Sequence, residues 1–325
     1  SKGYHKSPGS PHAEKIAITK AGSEVTNSTL YVNLEPCCHY GKTPPCLDLI
    51  IKNKIKRVVI STRDPNPLVN GKSIQALKKS GIEVSVGICK KEAIALNRGF
   101  FKKFKENKPF VILKSGISLD GKISLKNGNS KWITSAKSRD DVQYERALCS
   151  LILTTSKTVI KDNPKLTVRK KELLRKNITQ PDIALLDSKL SVPLNSKVFD
   201  KLNRKIYIFS TYTRIKSNKK KYKSNVLLIP ISLKNNLLNL KQVFDELVAK
   251  DINNILIESG STLASNLFKA SLVDELLLYL SPKILGDTSI SFSGIDYIKS
   301  LSKKINFKIS DIMQLDNDIK IRLLS

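Results

Sequence analysis

Four residues near the start of the chain constrain its chemistry most: His12, Glu14, Cys37 and Cys46. A catalytic zinc ion takes three protein ligands and leaves a fourth position open to water. One imidazole and two thiolates supply such a ligand set, and a nearby carboxylate that does not bind the metal can move protons. The pattern therefore predicts hydrolytic deamination at zinc, with His12, Cys37 and Cys46 as ligands and Glu14 as the catalytic residue.

A structural zinc site is one alternative, because Cys38 or His39 could supply a fourth ligand and close the coordination sphere. A nucleic-acid deaminase is another, but its two cysteines form a Cys-x-x-Cys pair, whereas eight residues separate Cys37 from Cys46 here. The longer loop contains phosphate donors, namely His39, Lys42 and Thr43. This loop favours a small phosphorylated heterocycle as the substrate.

The net charge of +29 suggests a nucleic-acid partner. However, lysine is spread along the chain with asparagine and isoleucine, and the densest cluster, residues 216–223, lies between two strand-like segments. That cluster is typical of a solvated loop, and the Arg-Gly or aromatic-basic alternation of RNA-binding segments is absent. We therefore expect no nucleic-acid partner, although a basic binding module stays a hypothesis that rests on charge alone.

The chain has five cysteines, an odd number, and three of them cluster beside the histidine motif. This distribution argues against a secreted disulfide framework and predicts a reduced compartment, the cytoplasm. The other two, Cys89 and Cys149, are expected in the core. No segment approaches the roughly 20 apolar residues of a membrane helix, so we expect no membrane association.

The order of helical and strand-like segments predicts two α/β domains with largely parallel sheets, residues 1–105 and 106–325. Pro109 disfavours helix in the residue before it and so supports this boundary. The predicted helices are residues 14–20, 44–53, 74–80, 93–105, 138–149, 235–250 and 262–270. The predicted strands are residues 29–34, 58–61, 82–87, 110–113, 151–154, 182–186, 206–209, 255–258 and 275–280, with a strand or turn at 131–134.

Residues 255–263, Ile-Leu-Ile-Glu-Ser-Gly-Ser-Thr-Leu, lead from a strand through a glycine turn into a helix. Free N–H groups at a helix start bind phosphate well. The segment is not the Gly-x-Gly-x-x-Gly dinucleotide fingerprint, and taken alone it is explained as well by a simple capped turn.

Residues 34–46, Leu-Glu-Pro-Cys-Cys-His-Tyr-Gly-Lys-Thr-Pro-Pro-Cys, resemble the zinc loop of the bifunctional riboflavin-biosynthesis deaminase–reductase family. The family usually has Ser at the position of Cys38 and Arg at that of Lys42. The resemblance continues nearly to the end of the chain. The segments that carry it are 64–67 with Gly71, 114–122, 130–135 with Arg139 and Asp140, 158–169, 272–276 and 281–286.

The resemblance implies a cytidine-deaminase-like three-layer α/β/α domain followed by a dihydrofolate-reductase-like α/β domain that uses NADPH. It also implies a homodimer formed through the reductase domain. The cofactor-binding positions that it implies are Gly116, Trp132, Thr158, Asp162, Ser188, Gly260, Ser261, Thr262, Leu263, Ala264, Ser265 and Asn266. The substrate-binding positions that it implies are Ser130, Arg146, Leu166, Arg169 and Glu258.

These roles are chemically reasonable. Arg146 and Arg169 could clamp a phosphate through paired N–H donors, and Trp132 offers a flat face to a ring. Hydride transfer belongs to the cofactor, so no protein nucleophile is expected. Lys157 stands where the family has a glycine-containing stretch, and it would either clash with the cofactor or bind its extra phosphate.

The family normally places a helix, a strand and a substrate loop before the segment that opens this sequence, so we expect the natural start to lie upstream. Without that segment the deaminase pocket would be incomplete, and an enzyme with only reductase activity is the second hypothesis.

Overall fold

The chain divides into two units, residues 1–106 and 107–325. The structure is a computed structural model that describes residues 1–6, 9–41, 43–176, 178–200, 202–295, 300 and 304–325. Each unit has its own sheet and its own buried apolar core. None of the helices in these ranges has the length and apolar character needed to cross a membrane.

A parallel sheet of three strands forms the centre of the first unit: β1 (Thr29–Val32), β2 (Arg57–Ile60) and β3 (Glu83–Val86). The spatial order is β1–β2–β3, so β2 is central. Its side chains Val58, Val59 and Ile60 are buried, as expected for a strand covered on both faces. The helices are α1 (Ala13–Ala21), α2 (Cys46–Lys52), α3 (Lys72–Lys79), α4 (Lys90–Leu96) and α5 (Arg98–Glu106).

The single helix predicted over residues 93–105 is wrong, because Asn97 separates α4 from α5. The backbone of Asn97 leaves the helical region, and its side-chain amide donates to the Ala93 carbonyl at 3.1 Å, which ends α4. Cys89 was predicted to be a core residue and is exposed instead, in a left-handed conformation just before α4. Cys149 is buried as predicted.

The second unit is built on one sheet of nine strands. Its strands are β4 (Phe110–Ser118), β6 (Leu151–Thr155), β7 (Asp182–Leu186), β8 (Ile206–Ser210), β9 (Val226–Pro230), β12 (Asn254–Glu258), β13 (Glu275–Ser281), β15 (Lys308–Leu315) and β16 (Asp318–Leu324). Two small antiparallel ribbons pair β5 (Lys122–Ser124) with β14 (Ile290–Ser291), and β10 (Leu233–Lys234) with β11 (Leu237–Leu238).

The order across the large sheet is β15–β16–β13–β4–β12–β6–β7–β8–β9, and β16 runs antiparallel to both of its neighbours. Side chains alternate between two cores: Ile255 and Ile257 pack into one cluster, whereas Leu256 between them packs into the other. The sheet is therefore covered on both faces. The helices are α6 (Ala136–Ala147), α7 (Ser156–Asp162), α8 (Lys171–Leu174), α9 (Tyr212–Lys216), α10 (Leu240–Ala249) and α11 (Ser261–Lys269).

Two parts of this unit differ from the sequence prediction. The β15–β16 hairpin was not predicted, and the helix expected from residue 235 begins at Leu240 because residues 233–238 form the β10–β11 ribbon. Residues 216–223 were expected to be a solvated loop. Instead, the ammonium groups of Lys220 and Lys223 donate to backbone carbonyls within residues 190–199.

A buried group of charges joins α6 to the C-terminal hairpin. Glu145 lies on α6 and accepts hydrogen bonds from Lys320 and Arg322 of β16, each at 2.7 Å. Lys320 also binds Asp141, and Arg322 also binds Glu275. Glu145 and Lys320 are almost inaccessible to water, so each charge depends on its partners.

Replacement Glu145→Ala should therefore lower the free energy of unfolding of the second unit by about 2–4 kcal/mol, since Lys320 and Arg322 each lose one of their two carboxylate partners in a buried site. Urea denaturation followed by the fluorescence of the single tryptophan, Trp132, measures this unit. The control is Glu246→Ala, which removes a partly exposed ion pair with Lys250 and should cost less than about 1 kcal/mol. Equal losses in the two variants would contradict the stabilising role of the buried group.

Candidate active sites

His12 is held at the start of α1. It occupies the position before the helix, and its carbonyl accepts the Ile16 N–H at 3.1 Å. The N-terminal segment lies directly against this helix at Gly3, where a Cβ atom would stand 2.8 Å from Ala17 N and 2.9 Å from Ile16 Cβ. Only glycine permits that approach, and it brings the segment against the helix that carries His12.

Cys37 and Cys46 are joined through the start of α2. Cys46 is the first residue of α2, and its N–H donates to the Cys37 sulfur at 3.3 Å. The next N–H of the helix, from Leu47, donates to the Cys37 carbonyl at 3.1 Å. Both cysteines are thus fixed by helix N–H groups that have no partner inside the helix.

The three side chains form a compact metal-ligand set. His12 Nδ1 lies 3.5 Å from Cys37 Sγ and 3.3 Å from Cys46 Sγ, and all three ligand atoms lie within 4.8 Å of one another. Tetrahedral zinc with ordinary Zn–N and Zn–S bond lengths separates such atoms by about 3.6 Å. The donor set therefore fits zinc in both chemistry and spacing.

The two cysteines differ in how easily they ionise. A hydrogen bond with Cys46 lowers the pKa of Cys37 to about 5, and the same bond raises the pKa of Cys46. Zinc binding would deprotonate both, because thiolates are the form that binds metal.

The other nitrogen of the His12 ring has a partner of its own. His12 Nε2 lies 3.1 Å from Thr43 Oγ1, which fixes the orientation of the ring and leaves Nδ1 towards the sulfurs. Sequence reasoning named Thr43 only as a phosphate donor and missed this contact.

Glu14 lies on the first turn of α1, next to the ligand set. Burial raises its pKa, and the Cys37 charge raises it further, whereas His12 and the Cys46 thiol act in the opposite direction. A carboxyl group with a raised pKa beside a metal site is suited to accept and release a proton.

Glu35 holds the ligand loop in place, and sequence reasoning missed it. Its buried carboxylate accepts N–H groups from Gly71 at 2.9 Å, Ile74 at 3.2 Å and Asp64 at 3.3 Å. These donors belong to the segment from residue 64 to the start of α3. Glu35 is only two residues before Cys37, so the position of the ligand depends on this anchor.

Cys38 and His39 lie outside the ligand set among the described residues. The Cys38 thiol donates to the Leu68 carbonyl at 3.6 Å. His39 has a buried Nδ1 atom without a hydrogen-bond partner in the described structure. The structure therefore gives no fourth protein ligand within these ranges. Lys42, the third predicted phosphate donor, lies outside the described residues.

In the second unit, the predicted cofactor residues follow the carboxyl ends of neighbouring parallel strands. Gly116 lies near the end of β4, Thr158 and Asp162 lie on α7 after β6, and Ser188 follows β7. Residues 260–266 begin α11 directly after β12. Ligands of open α/β sheets bind at this edge, so the fold brings these positions to one side of the sheet.

The start of α11 is open to solvent. Gly260 precedes the helix without any side-chain cap, and a Cβ atom placed there would meet nothing within 4 Å. Ser261 and Thr262 follow, whereas Leu263 and Ala264 are buried in the core. Ser265 Oγ accepts the Gly294 N–H at 2.7 Å, and Asn266 donates to the Thr262 carbonyl at 2.8 Å. Phosphate could therefore reach the first residues of the segment, and the buried members only support them.

Arg146, predicted to clamp a phosphate together with Arg169, binds protein groups in the structure. Arg146 is buried and binds both carboxylate oxygens of Glu258, with Nε to Oε1 at 2.6 Å and Nη2 to Oε2 at 3.1 Å. Its Nη1 donates to the Thr167 carbonyl at 3.0 Å. Three of its five donors are thus used by the protein, because a buried arginine requires a counterion. Arg169 remains exposed.

Glu258 ends β12 and forms the centre of this cluster. Lys114 of β4 also binds it, with its Nζ 3.0 Å from Oε2. Burial alone would raise the pKa of Glu258, yet Arg146 and Lys114 hold it well below the ordinary range. Sequence reasoning gave Lys114 no role, although a lysine within the apolar strand Phe110–Ser118 was a signal that a buried partner exists.

The remaining predicted positions differ in how far they are exposed to solvent. Trp132 is 63% exposed, and the Arg139 guanidinium lies 4.0 Å from its ring centre. Asp162 and Lys157 are exposed on α7, and Ser130 is half-buried. Leu166 is buried in a left-handed conformation, with its carbonyl bound by Arg204 at 2.6 Å.

Comparisons with known proteins agree across the whole chain. Residues 109–321 match the family model described as "RibD C-terminal domain", and residues 1–62 match "Cytidine and deoxycytidylate deaminase zinc-binding region". The "Riboflavin biosynthesis protein RibD" of Buchnera aphidicola subsp. Baizongia pistaciae is 38% identical, covering 99% of this chain and 88% of the relative. The protein of the same name from Escherichia coli K12 is 37% identical, covering 99% and 89%.

Two solved structures are similar over nearly the full chain. Acinetobacter baumannii RibD has a TM-score of 0.88 at 36% identity, covering 99% of this chain and 87% of that one. A Thermotoga maritima protein described as a diaminohydroxyphosphoribosylaminopyrimidine deaminase/5-amino-6-(5-phosphoribosylamino)uracil reductase has a TM-score of 0.82 at 34% identity, covering 97% and 85%.

We expect the purified protein to bind about one zinc ion per chain, as the three-ligand set requires. Cys37→Ala should lose most of this metal, because it removes one of three ligands. Elemental analysis of the dialysed protein measures the zinc content, and Cys89→Ala, which changes an exposed cysteine, is the matched control. Full zinc occupancy in Cys37→Ala would mean that Cys37 is not a ligand.

Proposed function

Because the chain belongs to the RibD family of riboflavin-biosynthesis proteins, we propose that residues 1–106 are its deaminase domain and residues 107–325 its reductase domain. The chain is a bifunctional enzyme with a zinc-dependent deaminase activity and an NADPH-dependent reductase activity. The substrate we propose is a phosphoribosylamino-pyrimidine, which is deaminated and then reduced from ribosyl to ribityl. The assembled set of His12, Cys37, Cys46 and Glu14 is the observation that carries this proposal.

In the deaminase domain, zinc held by His12, Cys37 and Cys46 would lower the pKa of a coordinated water towards about 7. The carboxyl group of Glu14 accepts a proton from the attacking water and delivers it to the departing ammonia. Its raised pKa suits both steps, since a group that titrates nearer neutrality gains and loses a proton more easily. Thr43 keeps the His12 ring in the orientation that presents Nδ1.

We also propose that the loop between Cys37 and Cys46 binds the substrate phosphate. His39 supports this role, because its buried Nδ1 has no hydrogen-bond partner within the described structure. An imidazole N–H at this position would donate to a phosphate oxygen. Lys42 and Thr43 are the other donors that we assign to this loop.

In the reductase domain, NADPH would supply the hydride, and a proton completes the two-electron reduction of the ribosyl group. We propose that the cofactor lies along the carboxyl ends of β4, β12, β6 and β7, with its phosphates near Gly260, Ser261 and Thr262. The cluster of Glu258, Arg146 and Lys114 lies at the same edge of the sheet. The substrate would therefore meet a fixed carboxylate with two cationic partners.

An enzyme with only reductase activity is the alternative considered from the sequence, and no observation in the structure favours it. The ligand atoms and the general-base candidate are brought together within the first unit. We infer a cytoplasmic location from the five free cysteines, which suit a reducing compartment.

Glu14→Ala should reduce ammonia release by about 10²–10⁴-fold, the usual contribution of general acid–base catalysis. Zinc content and NADPH oxidation with the deaminated pyrimidine should stay unchanged, because neither depends on this carboxyl group. The matched control is Glu24→Ala, an exposed glutamate of the same unit. Loss of the reductase activity in Glu14→Ala would contradict the assignment of two separate sites.

We propose that the reductase domain forms a homodimer through β15. This strand is at one edge of the large sheet, and all of its residues except Leu315 are exposed. Ile309 is 63% exposed and Ile312 59%. An eight-residue edge strand with exposed isoleucines is normally covered, and the same strand of a second copy would cover it symmetrically.

Ile312→Lys should shift the protein from dimer to monomer, because it places a charge within the proposed interface. Light scattering coupled to size-exclusion chromatography measures the mass. Leu227→Lys, on β9 at the opposite edge of the sheet, is the control and should remain dimeric. A dimer that survives Ile312→Lys, or that dissociates in Leu227→Lys, would contradict an interface at β15.

A further inference from the structure

The turn after β7 is held in an unusual backbone conformation. Leu190 has a φ of +52°, which is unfavourable for a residue with a side chain, and it is nevertheless buried. On one side, the Asp187 carboxylate fixes the turn by accepting the Ser191 and Val192 N–H groups, each at 2.9 Å. Such a conformation persists only where surrounding contacts impose it.

A lysine from a distant loop supplies the second set of contacts. Lys220 Nζ donates to the Leu190 carbonyl at 2.5 Å and to the Val192 carbonyl at 2.9 Å. The two carbonyls belong to the residues before and after Ser191, so one ammonium group bridges this part of the turn. The side chain is part-buried, and Asn218 fixes its backbone with hydrogen bonds to both Lys220 N–H and carbonyl.

The loop that carries Lys220 is also attached at a second point. Lys223 Nζ donates to the Phe199 carbonyl at 2.9 Å, and the Tyr222 ring packs against the Phe199 ring with centroids 6.0 Å apart. Lys223 therefore anchors the loop without touching the turn at 187–192. This separation allows the two contributions to be tested independently.

The turn also presents a predicted cofactor residue. Ser188 is in this turn, at the carboxyl end of β7, and its carbonyl accepts the Ser210 hydroxyl of β8 at 3.0 Å. The backbone of Ser188 is thus fixed from the β8 side by Ser210, and the remainder of the turn is fixed by Asp187 and Lys220. The position of Ser188 relative to the sheet edge depends on all three.

We propose that Lys220 is a positioning residue for NADPH binding. By holding the carbonyls of Leu190 and Val192, it keeps the turn in the conformation that presents Ser188 to the cofactor. Residues 216–223 include none of the predicted cofactor or substrate positions, so Lys220 would act on the cofactor only through the turn that it holds. The inference rests on the proposed NADPH-dependent reductase function.

Lys220→Met keeps the aliphatic stem and removes both hydrogen bonds. We expect the Kd for NADPH, measured by isothermal titration calorimetry, and the KM for NADPH to rise about tenfold, since two charge-assisted hydrogen bonds that order the turn are lost. The kcat at saturating NADPH and the rate of ammonia release should stay within about twofold of wild type, because Lys220 does not contact the reacting groups.

Lys223→Met is the matched control, because it releases the same loop at its other anchor. Lys221→Met, which changes an exposed lysine, is the neutral control. Both should keep the wild-type Kd for NADPH. An equal rise in Lys220→Met and Lys223→Met would mean that docking of the loop matters and the turn does not, and a wild-type Kd in Lys220→Met would also overturn the inference.

If Lys220→Met does not fold, Lys220→Gln takes its place, because glutamine keeps an N–H donor. We then expect a Kd for NADPH above that of wild type but less than about tenfold above it. Titration of the wild-type protein with NADPH distinguishes the reductase function from the positioning role. Failure of wild type to bind NADPH would refute the proposed reductase function itself, whereas binding that is unaffected by Lys220 refutes only the positioning role.

Discussion

A buried carboxylate must be surrounded by donors, and in the first unit this requirement fixes the metal centre. Glu35 accepts three backbone N–H groups from the segment that leads into α3, and it lies two residues before Cys37. Loss of these bonds would leave the Glu35 carboxylate without water or a partner. Moving the loop that carries Cys37 away from residues 64–74 therefore costs considerable free energy. The position of Cys37 therefore depends on a residue that lies outside the ligand set.

The second unit meets the same requirement with side chains. Glu258 ends the strand that lies between β4 and β6, and it is neutralised by Lys114 from one side and by Arg146 of α6 from another. Two strands and a helix are thus tied together at the edge of the sheet where the cofactor residues meet. Buried ion pairs contribute modestly to stability, but they require particular side chains to lie together. A binding site depends on such fixed side-chain positions.

The apolar periodicity of the sequence predicted most elements of both sheets, since β2, β6, β7, β8 and β12 are short apolar runs. The metal ligands were predicted because their chemistry demands particular residue types at a recognisable spacing. The contacts that the sequence did not reveal have a common cause. The pairing of Arg146 with Glu258 was not predicted because the two residues lie far apart in the sequence, and the anchoring role of Glu35 depends on N–H groups that no residue type reveals. The hairpin of the exposed β15 and the partly buried β16 mixes charged and apolar residues, so its pattern was weak.

The order of strands in the large sheet has a consequence for how the chain folds during synthesis. The metal ligands and the three strands of the first unit all lie within residues 12–86, so that unit can close early. In contrast, β4 opens the second unit but pairs with β12 and β13, which are among its last strands. β4 therefore has both of its neighbouring strands only after residues up to 281 have been synthesised. Because these contacts are distant in the sequence, we expect the sheet to form slowly. During that interval the apolar β4 is an unpaired edge, and the ribosome-bound chain has to keep it from pairing with other molecules.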